Sequence, residues 1–282
     1  MEYLFITGDD ALRQWQRQLL SRGNAEVALD IEGEFNLHVY GERLCLVQIF
    51  DGEQLVAVDP VPVSTEALKE FFEDRQITKV MYDAMSDQSL LFKTMDTRIH
   101  SIVDLKPAVD LLEYPKRDLG SVLSQALGVT IEKKSRFQRY NWTTRPLAQD
   151  AVEYALSDVA YLFQLRDHLM AELEARGLSA QYEVKNAAVQ EKAPDTSRPP
   201  RLFRSNEFRR LGTAGQELFR RIYDIRDGYA RQVDVPPDMV VPKRQLFALA
   251  AGKMAPAALE PNRRVPRHVR ELVVRDIQSL SR

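Results

Sequence analysis

Val27-Ala28-Leu29-Asp30-Ile31-Glu32-Gly33 is the stretch whose reading decides the fold. Successive side chains of a β-strand point to opposite faces, so Val27, Leu29 and Ile31 share one face and Ala28, Asp30 and Glu32 the other. The apolar set predicts a buried face. The acidic set puts two carboxylates side by side, which costs stability unless water, a cation or hydrogen-bond donors neutralise them. On these residues alone, a solvated strand face and a metal site both stand.

Before this strand, residues 3–7 predict another, followed by a helix through Leu12, Trp15 and Leu19 that Asp9-Asp10 caps and Gly23-Asn24 ends. After it, residues 43–50 and 54–59 predict antiparallel strands turned at Asp51-Gly52. Ser64-Thr65-Glu66-Ala67 opens a capped helix; residues 79–82 and 100–104 predict short strands, with a helix over residues 86–95 between them. Residues 119–127 and 146–176 have helical periods, the second being the longest such segment. Strands followed by helices give the α/β class with a mixed sheet.

The pattern lapses at Lys192-Ala193-Pro194-Asp195-Thr196-Ser197-Arg198-Pro199-Pro200, and residues 191–206 are the expected linker. Residues 213–231, 243–251 and 266–281 then have helical periods separated by proline-rich turns. A small all-α bundle over residues 207–282 is expected to follow an α/β domain over residues 1–190.

The length of 282 residues suits two domains. The single cysteine, Cys45, rules out a disulfide within the chain, and four scattered histidines argue against a zinc site. With no apolar run as long as a membrane span and no leader-like opening, the chain is expected to be cytoplasmic. The net charge of -2 conceals an asymmetry: residues 195–282 hold 18 Lys and Arg against 10 Asp and Glu. The basic part suits a polyanion, while carboxylates gather where a divalent cation would sit.

Two further segments carry acids in suggestive places. In Tyr82-Asp83-Ala84-Met85-Ser86-Asp87, Asp87 falls in the first turn after a strand, where it either complements the helix dipole or faces a site; Asp83 is a candidate cap. Tyr154 and Asp158, four apart in the last helical segment of the first domain, are expected on one helix face.

Taken in order, Asp30-x-Glu32, Asp87 and Tyr154-x-x-x-Asp158 resemble the DEDDy branch of the 3'→5' exonucleases. Asn141-Trp142-Thr143-Thr144-Arg145-Pro146-Leu147 ahead of Tyr154 is similar to the ribonuclease D-like members. The resemblance implies a ribonuclease H-like mixed sheet and two divalent ions, Mg²⁺ or Mn²⁺, held by Asp30, Glu32, Asp87 and Asp158. It makes Tyr154 the catalytic group that positions the attacking water. It also implies substrate contacts, with Arg145 on a phosphate and Trp142 or Phe35 stacked on a base. A core anchor for Trp142 and a helix-start salt bridge for Arg145 stand beside these roles. Such sequences commonly carry His where this chain has Tyr82, but the acid of that motif is intact as Asp87. Glu34 and Asp150 lie outside the matched positions.

Residues 218–231, Asp234-Val235-Pro236-Pro237-Asp238-Met239-Val240-Val241-Pro242 and residues 246–250 resemble the HRDC module, a small helical bundle that assists nucleic-acid binding. Bacterial ribonuclease D carries two in tandem; this chain has room for one. The resemblance implies an exoribonuclease that trims tRNA precursors or other small structured RNAs, with RNA bearing a free 3' end as partner and no membrane or obligate protein partner. The rival readings are a DNA exonuclease, with single-stranded DNA as partner, and a catalytically silent RNA-binding adaptor.

Overall fold

Alternation governs the acidic strand as its residue order dictates. Val27, Leu29 and Ile31 are buried in one apolar cluster, and Ala28 in a second on the opposite face. The computed structural model describes residues 1–23, 25–131, 137, 139–191 and 199–280. They pack as two units, Met1–Gly33 with Arg43–Asp195 and Glu34–Glu42 with Thr196–Arg282.

In the first unit the order is β1 (Leu4–Ile6), α1 (Asp9–Ser21), β2 (Glu26–Phe35), β3 (Glu42–Phe50), β4 (Leu55–Val58), α2 (Thr65–Glu73), β5 (Thr78–Met81), α3 (Met85–Met95), β6 (Ile102–Asp104), α4 (Lys106–Leu111), α5 (Leu119–Leu127), α6 (Gln149–Leu156), α7 (Leu162–Ala175) and α8 (Ser179–Glu191). The sheet runs β1-β4-β3-β2-β5-β6. β3 and β4 are antiparallel, whereas β1 with β4, β2 with β5 and β5 with β6 are parallel, so the sheet is mixed. β2 lies inside it, next to β5, whose exit leads into α3 and Asp87. The cluster holding Ala28 is built largely from α4, α5 and α7, so helices cover the face on which Asp30 and Glu32 stand.

Local chemistry revises four expectations. The residue before α1 is Gly8, without a side-chain cap; Asp9 instead accepts the N–H of Ser64 at 2.7 Å and its Oγ–H at 2.6 Å, tying the start of α1 to the cap of α2. Ala84, not Asp83, precedes α3, and Asp83 takes a left-handed φ of 61°. The expected helix over residues 146–176 is two helices. Ser157 and Asp158 N–H donate to Tyr154 and Ala155 O, three residues back, and the Ser157 hydroxyl donates to Tyr154 O at 2.5 Å. That competition for the last carbonyls tightens the backbone and ends α6. The expected linker carries regular structure at both ends: α8 reaches Glu191 and a 3-10 turn spans Arg201–Arg204, while residues 192–198 lie outside the described ones.

The second unit is helical, with α9 (Asn206–Arg209), α10 (Thr213–Gln232), α11 (Pro237–Val240), α12 (Lys243–Ala250) and α13 (Arg267–Ser279) around Phe219, Ile222, Leu246, Val269 and Val273. The loop between β2 and β3 groups with it through Tyr40, whose hydroxyl donates to Asp227 at 2.8 Å and whose ring carries the Arg231 guanidinium at 5.4 Å.

Candidate active site

The four acids reach the site from three kinds of element. Asp30 and Glu32 come from β2, Asp87 from the first turn of α3, and Asp158 from the turn after α6. All four are half-buried. Asp30 and Asp158 line one cavity of about 220 Å³ with Tyr82, Leu119 and Leu162.

The acids share one electrostatic field. Burial, then the charge of Asp158, push Asp30 up to about 7 against a backbone hydrogen bond with Ile31. Burial, then Asp30 and Asp158, hold Glu32 well above the usual carboxylate range. Burial, then Asp30 and Glu32, do the same to Asp87. Carboxylates so placed stay ionised only if positive charge joins them. Their oxygens only accept, and they form the donor set of a hard divalent cation. Among the described residues, however, no three His, Cys, Asp or Glu side chains already stand at ligand spacing. The cluster is an electrostatic one and not a closed cage.

Asp104 holds the junction that aims Asp87, and no motif pointed to it. Its carboxylate, 1% exposed, accepts the N–H groups of Asp83 at 2.9 Å, Ala84 at 3.1 Å and Lys106 at 2.9 Å. Asn186 Oδ1 accepts the Asp104 N–H at 2.9 Å from α8. The only local sign in the sequence is an acid closing an apolar strand. Tyr82, where histidine was the commoner residue, donates its hydroxyl to Arg117 O at 2.7 Å and lines the cavity of Asp30 and Asp158.

Tyr154 lies on α6, its ring 4.8 Å from that of Phe137. Burial, then the charges of Asp158 and Glu32, raise its phenol, so the hydroxyl keeps its proton at neutral pH. Phe35 is 53% exposed and open to a base. Trp142 is not: at 5% exposure it packs edge-on to Tyr140, with ring centres 4.8 Å apart, in the core beneath α6. Arg145 is likewise taken. Its Nε and Nη2 each lie 2.8 Å from an oxygen of Asp59, and its remaining donors reach the carbonyls of Cys45, Trp142 and Thr144. In the structure the side chains of Trp142 and Arg145 are thus engaged by the protein's own residues. Glu34 clamps its own loop through the N–H groups of Leu37 and His38.

A 3'-5' exonuclease family matches residues 3–174, the span that carries all five expected catalytic residues. The chain belongs to the 3'-5' exonuclease family. An HRDC domain matches residues 215–257, from α10 to beyond α12. Ribonuclease D of Escherichia coli (strain K12) is 28% identical over 255 residues, 89% of this chain and 66% of that protein, so the chain spans just under two thirds of that relative. The crystal structure of E. coli RNase D superposes with a TM-score of 0.75 at 25% identity, over 100% of this chain and 76% of that one. The exosome complex exonuclease RRP6 of Saccharomyces cerevisiae is 27% identical over 250 residues, 82% of this chain and 33% of that protein. Brucella melitensis NrnC with bound Mg²⁺ superposes with a TM-score of 0.55 at 26% identity, over 67% of this chain and 90% of that one. NrnC holds Mg²⁺, and the acidic cluster here has the chemistry of a divalent-cation site. Among the described residues, no helix is long and apolar enough to cross a membrane.

Proposed function

We propose that this family member is a metal-dependent 3'→5' exoribonuclease of the ribonuclease D type, trimming tRNA precursors or other small structured RNAs and releasing 5'-mononucleotides. In this reading residues 1–190 form the catalytic domain, 191–206 the connection and 207–282 a helical domain that adds grip on RNA. The observation that carries it is the mutual charge of Asp30, Glu32, Asp87 and Asp158, four acids from one strand, one helix start and one turn that raise or feel one another's ionisation. A scaffold with no use for cations has no reason to gather them.

Asp30, Glu32, Asp87 and Asp158 would hold two divalent ions, Mg²⁺ or Mn²⁺. Ions bound there supply positive charge against the scissile phosphate and against the oxygens that gain charge as the bond breaks. Tyr154, its phenol protonated, accepts and donates hydrogen bonds that orient the attacking water. The water oxygen bonds to phosphorus as the bond to the 3' oxygen breaks. The departing oxygen takes up a proton to become the next 3' hydroxyl, and the water's own proton leaves to solvent. Phe35 offers a face on which a base can stack whatever its identity.

Digestion of 3'-extended labelled RNA, beside a matched DNA, with Mn²⁺, Mg²⁺ or EDTA tests the proposal. The expected result is stepwise release of 5'-mononucleotides from RNA, abolished by EDTA and by Asp30→Asn or Asp158→Asn in folded protein. Full activity in either variant removes the site, and faster digestion of DNA reassigns the substrate.

A further inference from the structure

Arg226, in the middle of α10, is 7% exposed, yet its Nε and Nη1 have no hydrogen-bond partner among the described residues. A buried guanidinium without acceptors is costly, and such groups in native structures answer to a ligand, a water or an ion. Its surroundings hold it in place without satisfying it: the Tyr223 ring lies 5.9 Å from the guanidinium carbon. Burial pulls its charged form down, and the carboxylates of Asp238 and Asp227 offset this only in part.

Those carboxylates are committed elsewhere. Asp227 accepts the Tyr40 hydroxyl at 2.8 Å and pairs with Arg231 at 3.5 Å. Asp238 accepts the Lys243 N–H at 2.7 Å, and Lys243 Nζ in turn pairs with Glu207 at 2.8 Å. Arg226 faces a cavity of about 510 Å³ within the second unit, with Tyr40 and the exposed Arg201 also on its wall. The cavity has the size of a small-ligand site. Its wall sets Arg201, Arg226 and Lys243 against the carboxylates of Glu42, Asp227 and Asp238.

We propose that this cavity holds one backbone phosphate of the RNA strand, with the Arg226 guanidinium donating to its oxygens and Arg201 adding charge at the rim. One observation favours phosphate on a strand over another anion: residues 195–282 carry the basic excess expected of a polyanion grip. Arginine matches phosphate oxygens with paired donors, and the Tyr40 and Tyr223 rings beside it suit any neighbouring base. The inference rests on the exoribonuclease reading and extends it from the cut end to the strand behind it.

The test uses the full chain in EDTA, so that binding is read without cleavage. A labelled single-stranded RNA is titrated across a range of salt against wild type, Arg226→Met, Arg226→Lys and Arg201→Ala. Arg226→Met should bind about tenfold more weakly and lower the slope of log affinity against log salt by about 0.7, one phosphate contact on a single strand. Arg226→Lys should keep the slope and lose affinity, because an ammonium lacks the planar paired donors. Thermal unfolding, in which Arg226→Met should match or exceed wild type, excludes misfolding as the cause. Wild-type affinity and slope in Arg226→Met would overturn the proposal, as would displacement of bound RNA by 5'-AMP in wild type but not in Arg226→Met, which assigns the cavity to a free nucleotide. Cleavage by wild type in Mn²⁺ is scored separately: its absence sinks the nuclease reading, whereas unchanged binding with cleavage intact sinks only this one.

Discussion

Asp104 accepts the backbone N–H of Asp83 at 2.9 Å, so the end of β6 fixes the start of the helix that carries Asp87. The same carboxylate holds the N–H groups of Ala84 and Lys106, and a buried donor without an acceptor costs about 1–3 kcal/mol. Asp104→Ala, which strands all three, is expected to lower stability by about 3 kcal/mol in urea unfolding. Asp104→Asn keeps one oxygen and should fold. Because outer-shell partners set the aim of a ligand, it should need about tenfold more Mn²⁺ for half-maximal cleavage. An unchanged Mn²⁺ requirement would reduce Asp104 to a structural residue.

The second prediction concerns pH. Asp30 is raised from an ordinary carboxylate value to about 7, so the folded state binds its proton more tightly than the unfolded chain does. Metal-free protein is therefore expected to lose stability as pH rises from about 4 to about 7, with little further change from this group above that. Asp30→Asn should make the slope shallower and leave the part due to Glu32 and Asp87, as read by melting temperature against pH in EDTA. Mn²⁺ should reverse it by binding the ionised form, releasing protons that calorimetry in two buffers detects near pH 6.

What the sequence made legible, and what it did not, follows from the range over which each signal acts. The period of two in β2 and the Ser64 cap are local, and both appear as read. The break after α6 is hidden because Ala155, Val159 and Leu162 keep helical apolar spacing through it, while the group that ends the helix is one hydroxyl, Ser157. Arg145 looks like a phosphate ligand until its partner is known, and Asp59 lies 86 residues away. The loop of residues 34–42 joins the helical unit through Tyr40 and Asp227, 187 residues apart, a pairing that no spacing rule could suggest.

The Arg145–Asp59 pair makes a third prediction. Removing one partner of a buried, doubly hydrogen-bonded ion pair leaves the other charge unmatched and costs about 3–5 kcal/mol. Asp59 is 6% exposed, so Arg145→Ala should fall at the low end of that range, about 3 kcal/mol, with Arg145 itself partly reached by water. Denaturant midpoints measure this. At a temperature where the variant is folded, its RNA affinity should equal that of wild type, whereas a large loss of affinity with stability intact would return Arg145 to the substrate.

Two glycines on α10 should behave oppositely. A methyl at Gly215 would stand 2.9 Å from the Ala250 carbonyl oxygen of the packed helix α12, a backbone atom that cannot rotate away. Overpacking costs about 1–3 kcal/mol and the helix gain of alanine returns about 1 kcal/mol, so Gly215→Ala should destabilise the helical unit by about 1 kcal/mol. At Gly228 nothing lies within 4 Å, and Gly228→Ala should stabilise by up to about 1 kcal/mol. Equal shifts of the same sign in chemical unfolding would mean that α10 and α12 are not packed as described.

Tyr154 separates orientation of water from proton abstraction. Burial and the neighbouring charges of Asp158 and Glu32 raise its phenol, which opposes ionisation at neutral pH and leaves hydrogen bonding as its contribution. Tyr154→Phe removes only the hydroxyl and keeps the ring against Phe137. The expected outcome is a fall in kcat of about a hundredfold, the lower end of what a positioned proton-handling group supplies, with KM and the Mn²⁺ requirement unchanged. The decisive reading is the pH profile of the residual activity. A group that never ionises contributes no limb, so wild type and Tyr154→Phe should share one shape; disappearance of a limb in the variant would make the phenol a base.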